Sequence, residues 1–521
     1  MPRSSEAKGK SKEMEPLYTG SEWTFDNLKA VYDALEEIAL KDMGLDVYPN
    51  QIEVITSEQM LDAYSSVGMP LMYRHWSFGK SFVRDDFMYR KGMRGLAYEI
   101  VINSSPCISY IMEENSITMQ TLVMAHAAFG HNHFFKNNHL FRQWTDAEGI
   151  LDYLNFAKDY ISRCEERYGF QAVEDTLDAA HALRENAVDR YSRPARLSVQ
   201  EEKERLERRE AHAQQDVRDI WRTLPEANDG KGRDAEDELQ AVIATKLGLP
   251  ESNLLYFMEK NSPVLQEWQR EILRIVRKIA QYFYPQKQTK VMNEGCACYC
   301  HYYLMHALYD RGLITEGTML EFLDYHSRVV FQPEFDDPRW SGINPYALGF
   351  AMMQDIERIC ENPTEEDREW FPDFAGSNDA LGQLKFAWEN FRDESFVLQY
   401  LSPKVIRDFR LFHIQDNSER PFLKVEAIHN ERGYRSVRSA LSKSYSISSM
   451  DLDIQVVDVD LHGDRTLTLC HYVHDQIPID GKEANLVLEK IAQLWGYDVG
   501  LYCEDVQTGN ILATYDYAKG A

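Results

Sequence analysis

Two short stretches limit what this 521-residue chain can fold into more than any other feature of its sequence. Met292–His306 (MNEGCACYCHYYLMH) packs one carboxylate, three thiols and two imidazoles into fifteen residues whose remainder is largely apolar and aromatic. It reads as a buried helix. Ala125–Phe135 (AHAAFGHNHFF) is of the same kind, with imidazoles at His126, His131 and His133 in an otherwise apolar run. Burying ionisable side chains is costly unless they are paired or bound to a metal. The fold must therefore supply partners for these groups, and each stretch is the natural partner of the other.

At about 100° per residue, Glu294, Cys298 and His301 share one helix face, while Cys296 and Cys300 form a separate stripe. His306 falls about 120° from Glu294 and serves other contacts. Glu294 and His301 lie about 10.5 Å apart along the axis, so an ion shared between them needs donors from elsewhere. His126 and His131 are five residues apart, about 140° on a regular helix, and converge only if the helix ends or widens at Gly130. That is not the i,i+4 spacing of an HExxH zinc helix, and the chain contains no HExxH. Asn293-Glu294-Gly295-Cys296-Ala297 is similar to the segment by which gluzincin aminopeptidases supply a glutamate zinc ligand.

These observations define an expected site for zinc or another divalent metal on His126, His131, Glu294 and His301, with Glu294 also the candidate catalytic carboxylate. The general-base glutamate of the gluzincin scheme is missing from its usual place, and Glu113, Glu114 or Glu185 substitute only if the fold brings one close. Cys-x-Cys-x-Cys does not match the CxxC spacing of zinc knuckles. The alternative keeps the thiols as small buried hydrophobes and the imidazoles as hydrogen-bonding core groups.

The rest of the chain predicts an α+β protein. A large, mainly helical N-terminal domain with a few strands precedes a small C-terminal β-α-β-β-α-β (ferredoxin-like) domain. The boundaries fall at a polar tail over 1–16, a core over 17–415 with a charged excursion at about 201–240, and the C-terminal domain over 421–521. Ile117–Phe129 reads as an all-round apolar helix and Leu96–Asn103 as a core strand. Tyr73–Phe82 (YRHWSFGKSF) alternates aromatic with polar or cationic residues, as a half-buried strand or exposed ribbon does. There Arg74, His75 and Lys80 are candidate contacts for an anionic substrate group, unless the segment is an ordinary strand with a wet face.

The formal charge of −27 argues against duplex DNA or an anionic membrane as partner. No run approaches the ~20 apolar residues of a membrane helix, and the polar start lacks a secretory apolar region. Eight cysteines in so long a chain are too sparse for a disulfide framework, which predicts a reducing, cytoplasmic setting.

Seven strings together resemble the stage V sporulation protein R (SpoVR) family: YRHWSFGK (73–80), GLAYEIVINS (95–104), AHAAFGHNHFFK (125–136), NSPVLQEWQRE (261–271), MNEGCA (292–297), SGINPYALGF (341–350) and DIQVVDVDL (453–461). The resemblance covers nearly the whole chain after the tail. It implies a protein of sporulation or stress physiology, tied to spore cortex or cell-wall formation, and the missing general base, the acidic balance and the ferredoxin-like tail favour a regulatory or scaffold role in it. It also implies a link to a PrkA-type serine protein kinase pathway. No catalytic residue carries over from it, and a metal-dependent hydrolase acting on an amide or ester bond is the alternative.

Overall fold

The computed structural model describes residues 15–66, 69, 72–90, 99–190, 247–412, 414–415, 421, 424–425, 429–461, 463–474 and 479–519. The charged excursion at 201–240 therefore lies outside the described residues. The chain divides into two compact units, one of residues 1–174 and 282–450, the other of 175–281 and 451–521.

The first unit is built around the helix Lys290–Asp310, which holds the Met292–His306 stretch. It packs against the helices Pro345–Glu361, Phe25–Lys41 and Glu316–Val329 and against the Ala125–His131 segment. Apolar on nearly every side, it can only be a central helix. Of its neighbours, Phe25–Lys41 has one apolar face and buries Leu28, Val31, Leu35, Ile38 and Ala39 at 3–4 spacing. At its N-terminus, Thr289 makes no side-chain capping bond. Buried Asp393 takes that role instead, accepting from the backbone N–H groups of Val291 and Met292 at 2.9 Å each. Asp393→Ala strands both donors in the core, and we expect a loss of about 2–3 kcal/mol, read as a lower urea midpoint at unchanged slope.

A three-stranded sheet flanks these helices. Cys107–Met112 is central, parallel to Asn50–Ile55 and antiparallel to Glu99–Ile102. The strand predicted at 96–103 is thus found over Glu99–Ile102, with 96–98 outside the described residues. Tyr73–Phe82, predicted as a strand or ribbon, is instead the entry to a helix, Trp76–Arg90. His75 bonds Ser77 across the helix start at 2.6 Å, so local side-chain bonding overrides the alternation of aromatic and polar residues.

In the second unit, four strands lie in sequence order: Asp453–Val459, Leu467–Val473, Val499–Asp505 and Ile511–Tyr517. The outer pairs are antiparallel and the middle pair parallel. A parallel pair needs a crossover, and the helix Gly481–Trp495 supplies it. The α+β class holds. The module is β-β-α-β-β, however, and not the expected β-α-β-β-α-β. Of its expected first strand, the described residues show Lys424–Val425, paired with Ile414–Gln415. Its expected first helix, Glu431–Ser444, packs on the helix Asp393–Tyr400 and buries Tyr434 and Val437 in the core of the first unit. Among the described residues no helix is long and apolar enough to cross a membrane.

Candidate metal centre

The helix opening at Ile117, N-capped by Ser116, changes pitch partway along. From Ala125 to His131 it is a π-helix, and the N–H of Asn132 reaches back five residues to the carbonyl of Ala127. A π-turn closes bonds over i→i+5 and is often found at functional sites. The wider turn brings residues five apart onto one face, so the rings of His126 and His131 come to 4.6 Å, edge to face.

Glycines then let the helices close on one another. A Cβ on Gly130 would lie 2.5 Å from Cα of Ala297, and one on Gly295 would lie 2.6 Å from the carbonyl carbon of Gly349. These contacts set Glu294 directly against the π-segment. Glu294 Oε2 lies 3.8 Å from Nε2 of His126 and 3.6 Å from Nε2 of His131. Glu99, from the adjacent strand, puts Oε1 3.8 Å from the same nitrogen of His126. An ion about 2.1 Å from each of two donors holds those donors roughly 3–4.2 Å apart, and all three separations fall inside that range.

Among the described residues two groupings could hold a metal: Glu99 with His126 and His131, and His126 with Cys298 and His301. His126 belongs to both groupings, and Glu294, a member of neither, lies against the histidines of the first. His126 Nε2 and Glu294 Oε2 are buried without a hydrogen-bond partner, and they face each other. Buried polar atoms left unpaired are rare and need a reason. The second grouping has its atoms engaged. His126 Nδ1 lies 2.9 Å from His301 Nδ1, and His301 Nε2 lies 2.7 Å from His326 Nδ1. Burial also pushes the Cys298 thiol well above its usual range, with the Glu294 and Glu99 carboxylates adding to the rise.

The electrostatics suit a cation. Burial pushes Glu99 up, with His126 opposing and Glu294 adding to the rise. Burial also works against the charge on His126, but the Glu294 and Glu99 carboxylates outweigh it and hold the imidazole above its usual value. Glu294 is held low because His126 and His131 outweigh its burial. His131 drops to about 4, chiefly through burial and then through the charge of His126. It is therefore a neutral ligand at neutral pH. The two carboxylate side chains keep 19% and 16% of their surface exposed.

Of the residues singled out from sequence, His126, His131 and Glu294 are brought together, and His301 stands behind His126. Arg74, His75 and Lys80 are placed elsewhere. His75 is buried, with Nε2 4.0 Å from Glu174, and Lys80 sits over the Trp76 ring at 5.8 Å. Sequence reasoning missed Glu99, His326 and Tyr346. Tyr346 stacks on His126 at 6.4 Å, and its hydroxyl acts on Glu294. Glu99 had one signal, an acid inside a β-branched apolar run. Asn293 holds His131 through Oδ1 at 2.9 Å, which accounts for the Asn-Glu pair.

An α+β protein with buried imidazole–carboxylate groupings suited to a metal is the class that this fold and site define. The chain belongs to the SpoVR-like family: the SpoVR-like protein model matches residues 22–450, and the SpoVR-like C-terminal domain model matches 452–506. It is 56% identical over 491 residues to the uncharacterized protein YcgB of Escherichia coli strain K12, covering 94% of each chain. No solved structure matches it.

Proposed function

We propose that Glu99, His126, His131 and Glu294 hold one divalent metal, zinc or a similar ion, and that the protein hydrolyses an amide or ester bond there. The observation that carries this reading is the pair of orphaned atoms, His126 Nε2 and Glu294 Oε2, converging from two helices. When bound, such an ion supplies Lewis acidity and lowers the pKa of water toward neutrality. The chain's own residues do the rest. His131 offers a neutral nitrogen, with its ring fixed through Asn293. The Tyr346 hydroxyl helps to hold Glu294 in its charged form. Glu99, partly exposed and pushed up by burial, is placed to take and return a proton at its free oxygen, the role that an HExxH glutamate fills elsewhere.

The test is hydrolysis of peptide and ester libraries by metal-loaded protein. Glu99→Gln is expected to lower turnover about 10²-fold or more while at least half of the metal is retained. Equal turnover in the variant removes Glu99 from the chemistry, and no hydrolysis by the loaded wild type removes the reading. Family membership supports a second reading, a cytoplasmic regulatory protein of a serine protein kinase pathway linked to spore cortex or cell-wall formation. That reading needs no turnover, and capture of the kinase by the wild type tests it.

A further inference from the structure

Behind His126 the imidazoles form a line. His126 Nδ1 is 2.9 Å from His301 Nδ1, and His301 Nε2 is 2.7 Å from His326 Nδ1. Each contact joins two ring nitrogens, so each needs one that carries a proton and one that is bare. His301 has no exposed surface, and both its nitrogens are spent in the line. Aromatic rings close around it: Phe322 at 5.9 Å from His301 and Phe350 at 4.6 Å from His326.

With all three rings neutral, placing the proton on one ring fixes the other two. Two self-consistent arrangements exist. In the inward one, His326 Nδ1–H donates to His301 Nε2, and His301 Nδ1–H donates to His126 Nδ1. His126 then carries its proton on Nε2, toward Glu99 and Glu294. In the outward one, His126 Nδ1–H donates to His301 Nδ1, His301 Nε2–H donates to His326 Nδ1, and His126 Nε2 is bare. The charge is the same in both.

We infer that His301 and His326 are positioning residues that set the tautomer of His126, and that a divalent cation at Glu99, His126, His131 and Glu294 selects the outward arrangement. The inference rests on the proposed metal centre. Only a bare Nε2 can ligate, and a ligating histidine needs its other nitrogen held by an acceptor. Here that acceptor is another histidine, whose own tautomer must change with it. His301, which the spacing offers as a ligand, acts on the ion through His126 alone.

The experiment uses the full chain labelled with ¹⁵N-histidine at alkaline pH, titrated with zinc against a competing chelator. On zinc addition to the wild type, the His301 proton is expected to move from Nδ1 to Nε2. His326→Phe keeps a flat ring but removes the acceptor, and zinc affinity is expected to fall about 10–100-fold. His326→Gln, which can accept and donate, restores most of it. Unchanged affinity in His326→Phe with an unmoved His301 proton overturns the inference while leaving the metal centre standing. Zinc lost in Cys298→Ser but kept in Glu294→Ala puts the ion on the Nδ1 side and overturns it too. A wild type that binds no zinc overturns the metal centre first, and the inference with it.

Discussion

Glu294→Ala is expected to take divalent metal from about one ion per chain to less than about a tenth, by elemental analysis of protein purified without a metal-binding tag. Among the described residues Glu294 is the carboxylate within 4 Å of both histidine Nε2 atoms, at 3.8 and 3.6 Å. It also supplies much of the charge that holds His126 above its usual value. Without it, two imidazoles and Glu99 remain, with less negative charge to offset a dication. His126→Ala is expected to do the same, since it removes the nitrogen that both carboxylates face. Retained metal in both folded variants would move the ion elsewhere. A metal-free wild type would leave these residues as core groups whose unpaired atoms have no ligand to explain them.

The second large effect falls on a residue that touches no ligand. Gly349→Ala is expected to destabilise the first unit by at least about 4 kcal/mol, a fall in Tm of roughly 10 °C or loss of soluble protein. An added Cβ there meets backbone, 2.8 Å from Cα of Gly295 and closer still to the carbonyl oxygen of Val291. Two helices would have to separate to admit it, carrying Glu294 away from the π-segment, whereas a flexible side chain could simply swing aside. Gly317→Ala is the control. It sits in the helix Glu316–Val329 with its nearest neighbour at 3.7 Å, so we expect no loss, or a slight gain from better helix propensity. Equal effects of the two substitutions would rule out the close crossing as the cause.

Much of the site was legible because buried charge is conspicuous. Glu294, His126 and His131 stood out as ionisable residues in apolar helices, and the i,i+5 spacing already required a widened turn. His301 was read by helix periodicity as a fellow ligand. Periodicity reports which way a side chain points and not which of its nitrogens is spent, and both of these are. Glu99 and Tyr346 come from a strand and a helix that the sequence does not link to the motif, and only tertiary packing brings them in. The C-terminal module misled for a related reason. Glu431–Ser444 is amphipathic, and amphipathicity says that a face is buried without saying against what. The last strand, Ile511–Tyr517, lies largely exposed at an edge, with none of its residues buried to mark it as core.

The π-segment gives this stretch an unusual sensitivity to chain length. Deleting one residue between His126 and His131, Ala128 for instance, would restore regular α-helical spacing and looks harmless on a helical wheel. It would also rotate everything downstream by about 100°. Gly130 would leave Ala297, and Asn132 and His133 would leave the backbone of Tyr48 and Asp46, which they now hold. Insertions and deletions here change the reading frame of a whole helix face, so homologous chains should vary in composition at these positions long before they vary in number.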